Sequence, residues 1–230
     1  MIAILGTTAT GKTELAYELA RRIPSEIISY DSRHVYKGMT IGTGKDLPDN
    51  ATFLTKPLPH FRVPALDTSI WLMDTVDPDK ERRAARFVRA ANQGVQAANE
   101  RNTMPILVGG TMFYLQQFLD PSESLEVKQN KALRASLAEL TVGPLQARLQ
   151  EADPDRLEKM NNSDRNNPAR LVRAIEVASA MATAKTQPSH TASLVCIDLP
   201  FEIIQERITT RVKRRFAEGM IEEVQQLIDQ

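Results

Sequence analysis

A glycine-bounded loop near the start of the chain holds the residues best suited to chemistry. The loop is Gly6-Thr7-Thr8-Ala9-Thr10-Gly11-Lys12-Thr13, between an apolar run and apolar residues at helical spacing. In this context the pattern predicts a P-loop, whose backbone N–H groups and helix N-terminus surround phosphate oxygens. Lys12 would reach the outer phosphate, and the Thr13 hydroxyl could bind Mg²⁺. The alternative is a glycine turn with a helix cap, which the complete motif disfavours.

Two further candidates follow predicted strands. Asp31 comes after the predicted strand at residues 26–29, and Gly109-Gly110-Thr111 comes after the apolar run at residues 104–108. Because α/β sheets place ligands at the carboxyl ends of parallel strands, both segments are expected near the P-loop. Asp31 could equally be a helix N-cap, and Thr111 could be an N-cap as well as a site-facing hydroxyl. The loop at residues 33–45, with three glycines, is predicted to cover the site.

The elements that must position these residues predict an α/β fold. We expect a P-loop NTPase-like parallel sheet flanked by helices, with a small all-helical insertion. Residues 1–120 and 166–230 would form the body, and residues 121–165, whose leucines recur at helical spacing, would form the insertion. Residues 80–101 predict an amphipathic helix, residues 193–199 a buried strand, and the chain after residue 203 a last helix. Residues 46–79 show few periodic runs.

Composition sets the outer bounds on function. The 230 residues are 42% apolar and 25% charged, as in ordinary globular proteins. No apolar run approaches the ~20 residues that span a bilayer, and the first strand leaves no room for a signal peptide. The single cysteine, Cys196, excludes an internal disulfide framework and is expected in the core. These features predict a cytoplasmic protein with no membrane partner. We also expect it to be a monomer. Basic and acidic residues both number 29, so net charge does not decide for or against nucleic acid.

The segment Asp31-Ser32-Arg33-His34-Val35-Tyr36-Lys37-Gly38-Met39-Thr40-Ile41-Gly42-Thr43 resembles the signature of the tRNA dimethylallyltransferases, also called isopentenylpyrophosphate transferases. Residues 72–78, 109–111, 166–177 and 207–212 are similar to further motifs of that family. The chain departs from the family pattern at Ile70-Trp71, Arg82, Asn167 and Phe201. It also stops at Gln230, whereas family members usually continue for several tens of residues.

The resemblance implies transfer of a dimethylallyl group from dimethylallyl diphosphate to N6 of the adenosine next to a tRNA anticodon, with Mg²⁺ as cofactor. Asp31 would accept the proton, Thr111 would position the reacting groups, and Arg211 would engage the diphosphate. The diphosphate-binding residues would be Gly6, Thr8, Ala9, Thr10, Gly11, Lys12 and Thr13, with Thr13 also binding the metal. The tRNA-binding residues would be Asp31, Ser32, Arg33, His34, Thr111, Arg134, Arg170 and Arg173, and the insertion would grip the tRNA.

Three alternatives stay open at this point. An adenylate isopentenyltransferase would use the same chemistry on a free nucleotide; the insertion and the arginine-bearing helices favour tRNA, whereas the short C-terminus weakens that choice. A P-loop kinase would need a Walker-B-like aspartate after an apolar strand, but the strand at residues 105–108 ends in Gly-Gly-Thr. A non-catalytic nucleotide-binding module would bind phosphate without turnover.

Overall fold

The computed structural model describes residues 1–80, 83–122, 124–180 and 189–229. The chain divides into two compact units. The first consists of Met1–Asp120 with Ser189–Gln230, and the second is Pro121–Pro188.

The first unit is built on a sheet that has seven strands within the described residues. These strands are β1 (Ile2–Gly6), β2 (Ser25–Ser29), β3 (Thr52–Leu54), β4 (His60–Val63), β5 (Thr68–Trp71), β6 (Met104–Val108) and β7 (Ser193–Ile197). Their order is β3-β4-β5-β2-β6-β1-β7. All neighbours from β5 to β7 pair in parallel, whereas β4 pairs antiparallel with β3 and β5. The predicted parallel α/β sheet is confirmed, with an antiparallel pair added at one edge.

Both units contain helices. They are α1 (Lys12–Ala20), α2 (Ala84–Glu100), α3 (Met112–Leu119), α4 (Lys131–Leu137), α5 (Val142–Ala152), α6 (Pro154–Lys159), α7 (Asn162–Arg165), α8 (Pro168–Ala180), α9 (Phe201–Ala217) and α10 (Met220–Ile228). Helix α2 buries the predicted apolar positions, among them Phe87, Val88 and Ala91. Its start, predicted at residue 80, lies at Ala84, and Arg82 is outside the described residues.

The segment at residues 46–79 is more regular than its sequence indicates. It contributes β3, β4 and β5, and a 3-10 helix at Pro64–Leu66. The Ile70-Trp71 pair lies in β5 and is buried, and the Trp71 indole N–H donates to Glu26 at 2.6 Å. The tryptophan ring also stacks on His60, with ring centroids 4.5 Å apart. This departure from the family pattern therefore packs β5 against its two neighbours, β2 and β4.

Strand β7 corrects two expectations about the core. The strand exists, but it is an edge strand paired only with β1 among the described strands, and four of its five residues are exposed. Leu194 is 60% exposed, and Cys196 is an exposed free cysteine rather than a core residue. An apolar run predicts burial only when other elements cover both faces of the strand, and the described residues do not cover β7 in this way.

The second unit extends further along the chain than the predicted insertion. The boundary expected at residue 165 lies beyond α8, because α8 packs its apolar face against the helices before it. The shared core consists of Leu137, Leu145, Leu149, Leu171, Ala174 and Ile175. Residues 166–180, which the sequence assigned to the body, therefore belong to the second unit. The predicted start of α8 at Pro168 is confirmed, and the Asn167 side chain accepts the Arg170 N–H at 3.2 Å.

Across the described residues, no helix has the length and apolar character that a bilayer crossing requires.

Candidate active site

The loop between β1 and α1 has the geometry of an anion cradle. Gly11 is the N-cap of α1 with φ 90°, and Ala9 also has a positive φ, of 65°. The Thr10 hydroxyl donates to the Thr7 carbonyl at 2.9 Å, and Lys12 Nζ donates to the same oxygen at 2.6 Å. These two bonds fold the loop over the helix N-terminus, where backbone N–H groups favour an anion.

A cavity of about 400 Å³ opens over this loop. Its wall is formed by the P-loop and by residues from four other parts of the first unit. Those residues are Tyr17, Asp31, His34, Thr43, Gly44, Asp46, Gly109, Gly110, Arg211 and Arg215. The predicted site residues Asp31, His34, Lys12, Thr13 and Arg211 therefore lie together.

Asp31 follows β2 and lies directly against the start of the Gly-Gly-Thr segment. A Cβ at Gly109 would be 2.7 Å from the Asp31 backbone N, and a Cβ at Gly110 would be 3.1 Å from Asp31 Oδ2. Gly109 therefore leaves room for the backbone at Asp31, and Gly110 leaves room for its carboxylate. Asp31 Oδ1 accepts the Arg33 N–H at 2.8 Å, a bond that stabilises the turn, and Oδ2 accepts no described hydrogen bond.

Thr111 is the N-cap of α3 by position, but its hydroxyl does not cap the helix. The oxygen accepts the Ser32 N–H at 2.9 Å and its proton goes to Ser32 Oγ at 3.0 Å. Thr111 therefore ties the end of β6 to the segment that carries Asp31. Thr111, Ser32 and Arg33 do not line the cavity wall, so the structure places them beside the site rather than in it.

The covering loop predicted at residues 33–45 is held down by α10. The Glu223 carboxylate accepts backbone N–H groups from Thr40 and Ile41, both at 2.7 Å, and from Gly42 at 2.9 Å. Lys45, which is fully buried, forms an ion pair with Asp74 and donates to the Tyr36 carbonyl at 2.6 Å. The loop therefore forms a fixed wall of the cavity.

Electrostatic interactions link the groups around the cradle. Burial, followed by the positive charge of Arg211, lowers the pKa of Lys12, and the carboxylate of Asp31 opposes this shift. Burial also lowers the pKa of His34, whose Nδ1 lies 3.4 Å from Ser29 Oγ. Arg207, one turn before Arg211 on α9, places its Nη1 3.4 Å from the Ala9 carbonyl. Positive charge therefore faces the P-loop from a second helix.

Three arginines predicted to contact tRNA lie in the second unit. Arg134 forms a two-bonded ion pair with the buried Glu176, and Arg173 donates to Glu176, Ser124 and Val127. Arg170 is exposed, with its Nε 3.5 Å from Asp164. Arg134 and Arg173 therefore stabilise their own unit, and Arg170 is the one of the three that points mainly to solvent.

Two family models and a curated protein match this sequence. A family model described as IPP transferase matches residues 34–230, and one described as isopentenyl transferase matches residues 1–56. A curated tRNA dimethylallyltransferase 1 from Geotalea daltonii is 40% identical over 231 residues, which cover 100% of this chain and 69% of that protein.

The chain belongs to the IPP transferase family.

Other members show how much of the family this chain spans. A tRNA dimethylallyltransferase 2 from Shewanella sediminis is 38% identical, and the match covers 100% of this chain and 71% of that protein. The tRNA isopentenylpyrophosphate transferase structure from Bacillus halodurans has a TM-score of 0.59 at 28% identity, over 99% of this chain and 69% of that one. A eukaryotic dimethylallyltransferase structure has a TM-score of 0.77 at 24% identity; the chain spans 56% of its length. These likenesses confirm the predicted P-loop NTPase-like fold.

Several residues of the cavity in this IPP transferase were missed from the sequence. Tyr17 and Asp46 lie outside the predicted covering loop and no local pattern signals them; the Tyr17 hydroxyl donates to the Asp46 carbonyl at 3.1 Å. Thr43 and Gly44 belong to the predicted covering loop but were not singled out within it. Arg215 had a usable signal. It follows Arg211 by four residues, a spacing that places both side chains on one helix face.

Proposed function

We propose that this chain transfers a dimethylallyl group from dimethylallyl diphosphate to N6 of the adenosine next to a tRNA anticodon. One observation carries the proposal: a single cavity brings the P-loop, Lys12 and Arg211 together with the Asp31 carboxylate. The first three suit a diphosphate, and the fourth suits a proton acceptor. The curated relatives named as tRNA dimethylallyltransferases support the same choice of donor and acceptor.

The reaction needs charge stabilisation at one end and proton removal at the other. The N6 lone pair forms a bond to C1 of the dimethylallyl group, and the C1–O bond breaks with its electron pair leaving on the diphosphate. Lys12 and Arg211 would stabilise that growing negative charge. Asp31 would accept the proton that N6 loses, which matters because the exocyclic amine is a weak nucleophile. Thr111 would act by fixing the segment that carries Asp31, through its two bonds to Ser32.

Mg²⁺ fits the donor set at the P-loop. No group of three or more His, Cys, Asp or Glu side chains is arranged to hold a metal among the described residues. Mg²⁺ commonly relies on few protein ligands, keeping waters and substrate phosphate oxygens. The Thr13 hydroxyl, which lines the cavity, would hold the ion against the diphosphate. When bound, the ion would neutralise charge on the leaving group.

The acceptor must bring an unstacked base to this cavity. Enzymes that modify bases generally take the target base out of its stack and into a pocket. The exposed Arg170 would contribute to binding of the tRNA backbone, and the second unit would be the gripping module. We expect the protein to act as a monomer, and because its acceptor is tRNA we expect the reaction to take place in the cytoplasm.

Label transfer from dimethylallyl diphosphate separates this proposal from its alternatives. The protein is incubated with the radiolabelled donor, Mg²⁺ and either unmodified tRNA or AMP. Label in tRNA supports the proposal, and label in AMP alone identifies a free-nucleotide enzyme. If neither acceptor is labelled and the protein turns over ATP in a parallel assay, the kinase alternative replaces the proposal.

A further inference from the structure

Arg215 is an arginine of the cavity that the chemistry above does not use. It lies on α9 one turn after Arg211 and lines the same cavity. Its Nη1 donates to the Gly42 carbonyl at 3.2 Å, whereas its Nε is buried without a hydrogen-bond partner among the described residues. Among the described residues, no carboxylate oxygen lies within 4.0 Å of an Arg215 guanidinium nitrogen, so Arg215 forms no ion pair there.

The covering loop is shaped to receive this guanidinium. A Cβ at Gly44 would lie 1.7 Å from Arg215 Nη2 and 2.8 Å from its Cζ, so only glycine leaves space for the side chain. Gly44 also has φ +68°, a conformation that glycine adopts without strain. On the other side of the loop, Glu223 fixes the backbone at Gly42, whose carbonyl Arg215 contacts. The arginine is therefore held in place before any ligand arrives.

The charge of Arg215 is poorly compensated where it lies. The neighbouring Arg214 pairs with Asp46 at 3.2 Å and with Glu218 at 3.4 Å. For Arg215, burial and then the charge of Arg211 lower the pKa, yet an arginine stays protonated near neutral pH. A partly buried cation with an unsatisfied N–H is unfavourable until an anion compensates it.

We propose that Arg215 is a further diphosphate-binding residue, which acts with Lys12 and Arg211 on the anion in this cavity. Arginine suits that task because its planar fork of N–H groups matches phosphate oxygens. The carbonyl of Gly42 accepts one N–H and orients the plane of the guanidinium, whose charge would then act on the diphosphate from the cavity wall. This inference rests on the proposed function, since it assigns a residue to the same diphosphate.

Binding of inorganic pyrophosphate tests the residue without requiring transfer. Isothermal titration of the protein with pyrophosphate and Mg²⁺ is compared for the unmodified chain, Arg215→Gln and Lys213→Gln. Lys213 is exposed on the same helix and its loss changes net charge equally. We expect Arg215→Gln to weaken pyrophosphate binding about tenfold, in line with a lost charged hydrogen bond, and Lys213→Gln to leave it within about twofold. Equal binding by the two variants would overturn the proposal.

Steady-state kinetics separate binding of the anion from support of the loop. We expect Arg215→Gln to raise KM for dimethylallyl diphosphate and to leave KM for tRNA unchanged. If kcat and the KM values for both substrates all change together, Arg215 only supports the cavity wall and the proposal is overturned. If Arg215→Gln does not fold, Arg215→Lys tests the proposal instead, because it keeps the positive charge but loses the planar fork of N–H groups. If Arg215→Lys binds pyrophosphate as tightly as the unmodified chain, the proposal is contradicted. A protein that binds pyrophosphate through Arg215 but labels no tRNA would refute the proposed function alone.

Discussion

Arg134 and Glu176 form a bidentate ion pair inside the second unit, with Arg134 Nε 2.6 Å from Glu176 Oε1 and Arg134 Nη2 2.8 Å from Glu176 Oε2. The carboxylate is fully buried and also accepts the Asn130 N–H at 2.9 Å and an N–H of Arg173 at 3.3 Å. Burial alone would raise the pKa of Glu176, but these bonds outweigh it and lower the pKa. The pair therefore anchors α4 to α8.

Replacement of Arg134 by Gln should destabilise the second unit. Glu176 would keep Arg173 but lose its best partner, and removal of one member of a buried pair is costly because the other stays buried. We expect the free energy of unfolding to fall by about 2 kcal/mol or more, measured by urea denaturation. Arg170→Gln is the matched control. Its exposed pair should contribute less than about 1 kcal/mol, and an equal loss in both variants would contradict the assignment.

Replacement of Asp31 by Asn should separate chemistry from binding. The amide keeps the size of the side chain but cannot take the proton, so transfer should fall by about 10²- to 10⁴-fold. Pyrophosphate affinity, measured by calorimetry, should stay within a few-fold. Asp77→Asn serves as control, since Asp77 pairs with Lys37 at 2.9 Å on the surface. If Asp31→Asn loses binding while transfer per bound donor persists, Asp31 is a structural turn residue.

Replacement of Gly109 by Ala should disturb the site through the backbone. The new Cβ would lie 2.7 Å from the backbone atoms Asp31 N and Tyr30 C, which cannot turn away as a side chain can. We expect a loss of about 1–3 kcal/mol in stability, together with reduced transfer. Gly143→Ala is the control: its Cβ meets nothing within 4 Å, and in α5 alanine should stabilise by up to about 1 kcal/mol. Wild-type stability for Gly109→Ala would mean that the two segments lie further apart.

The buried histidine of the cavity predicts a pH dependence of stability. Burial lowers the pKa of His34 in the folded protein below its ordinary 6.5, although Asp31 and the Thr43 backbone act the other way. The unfolded chain then binds more protons than the folded chain between the two pKa values, so stability is complete above pH 6.5 and falls as the pH drops below it.

His34→Gln should flatten this slope, which for one proton is at most about 1.4 kcal/mol per pH unit. Urea denaturation at a series of pH values between about 5 and 7.5 measures it. Part of the slope should remain, because burial also lowers the pKa of His190. His190→Gln provides the comparison, and an unchanged slope in His34→Gln would show that His34 is not held neutral.

The parts of the site that depend on local pattern could be predicted, whereas those that depend on long-range packing could not. The P-loop, Asp31 and the Gly-Gly-Thr segment each follow a strand, so their convergence at one sheet edge follows from parallel topology. The apolar run around Cys196 could not reveal that its strand is at an edge. The apolar face of α8 has the same sequence pattern whether the helix packs on a sheet or on other helices. In the structure it packs on the helices of the second unit.

The short strands β3 and β4 escaped prediction for a different reason. All three residues of β3 are exposed, so its pairing with β4 leaves no apolar alternation in the sequence. The contact that fixes the covering loop was also hidden, since Glu223 lies about 180 residues from the N–H groups that it accepts. Arg215 was visible at helical spacing from Arg211, but only the structure shows that it lines the cavity and packs against Gly44.

The measurement that most directly tests the central claim is mass spectrometry of nucleosides from tRNA treated with this protein. Unmodified tRNA is incubated with the protein, dimethylallyl diphosphate and Mg²⁺, and then digested with a sequence-specific ribonuclease before analysis. The proposed function predicts a mass gain of one dimethylallyl group on the adenosine next to the anticodon, absent with Asp31→Asn. Unmodified adenosine at that position, under conditions where the protein binds both substrates, would contradict it.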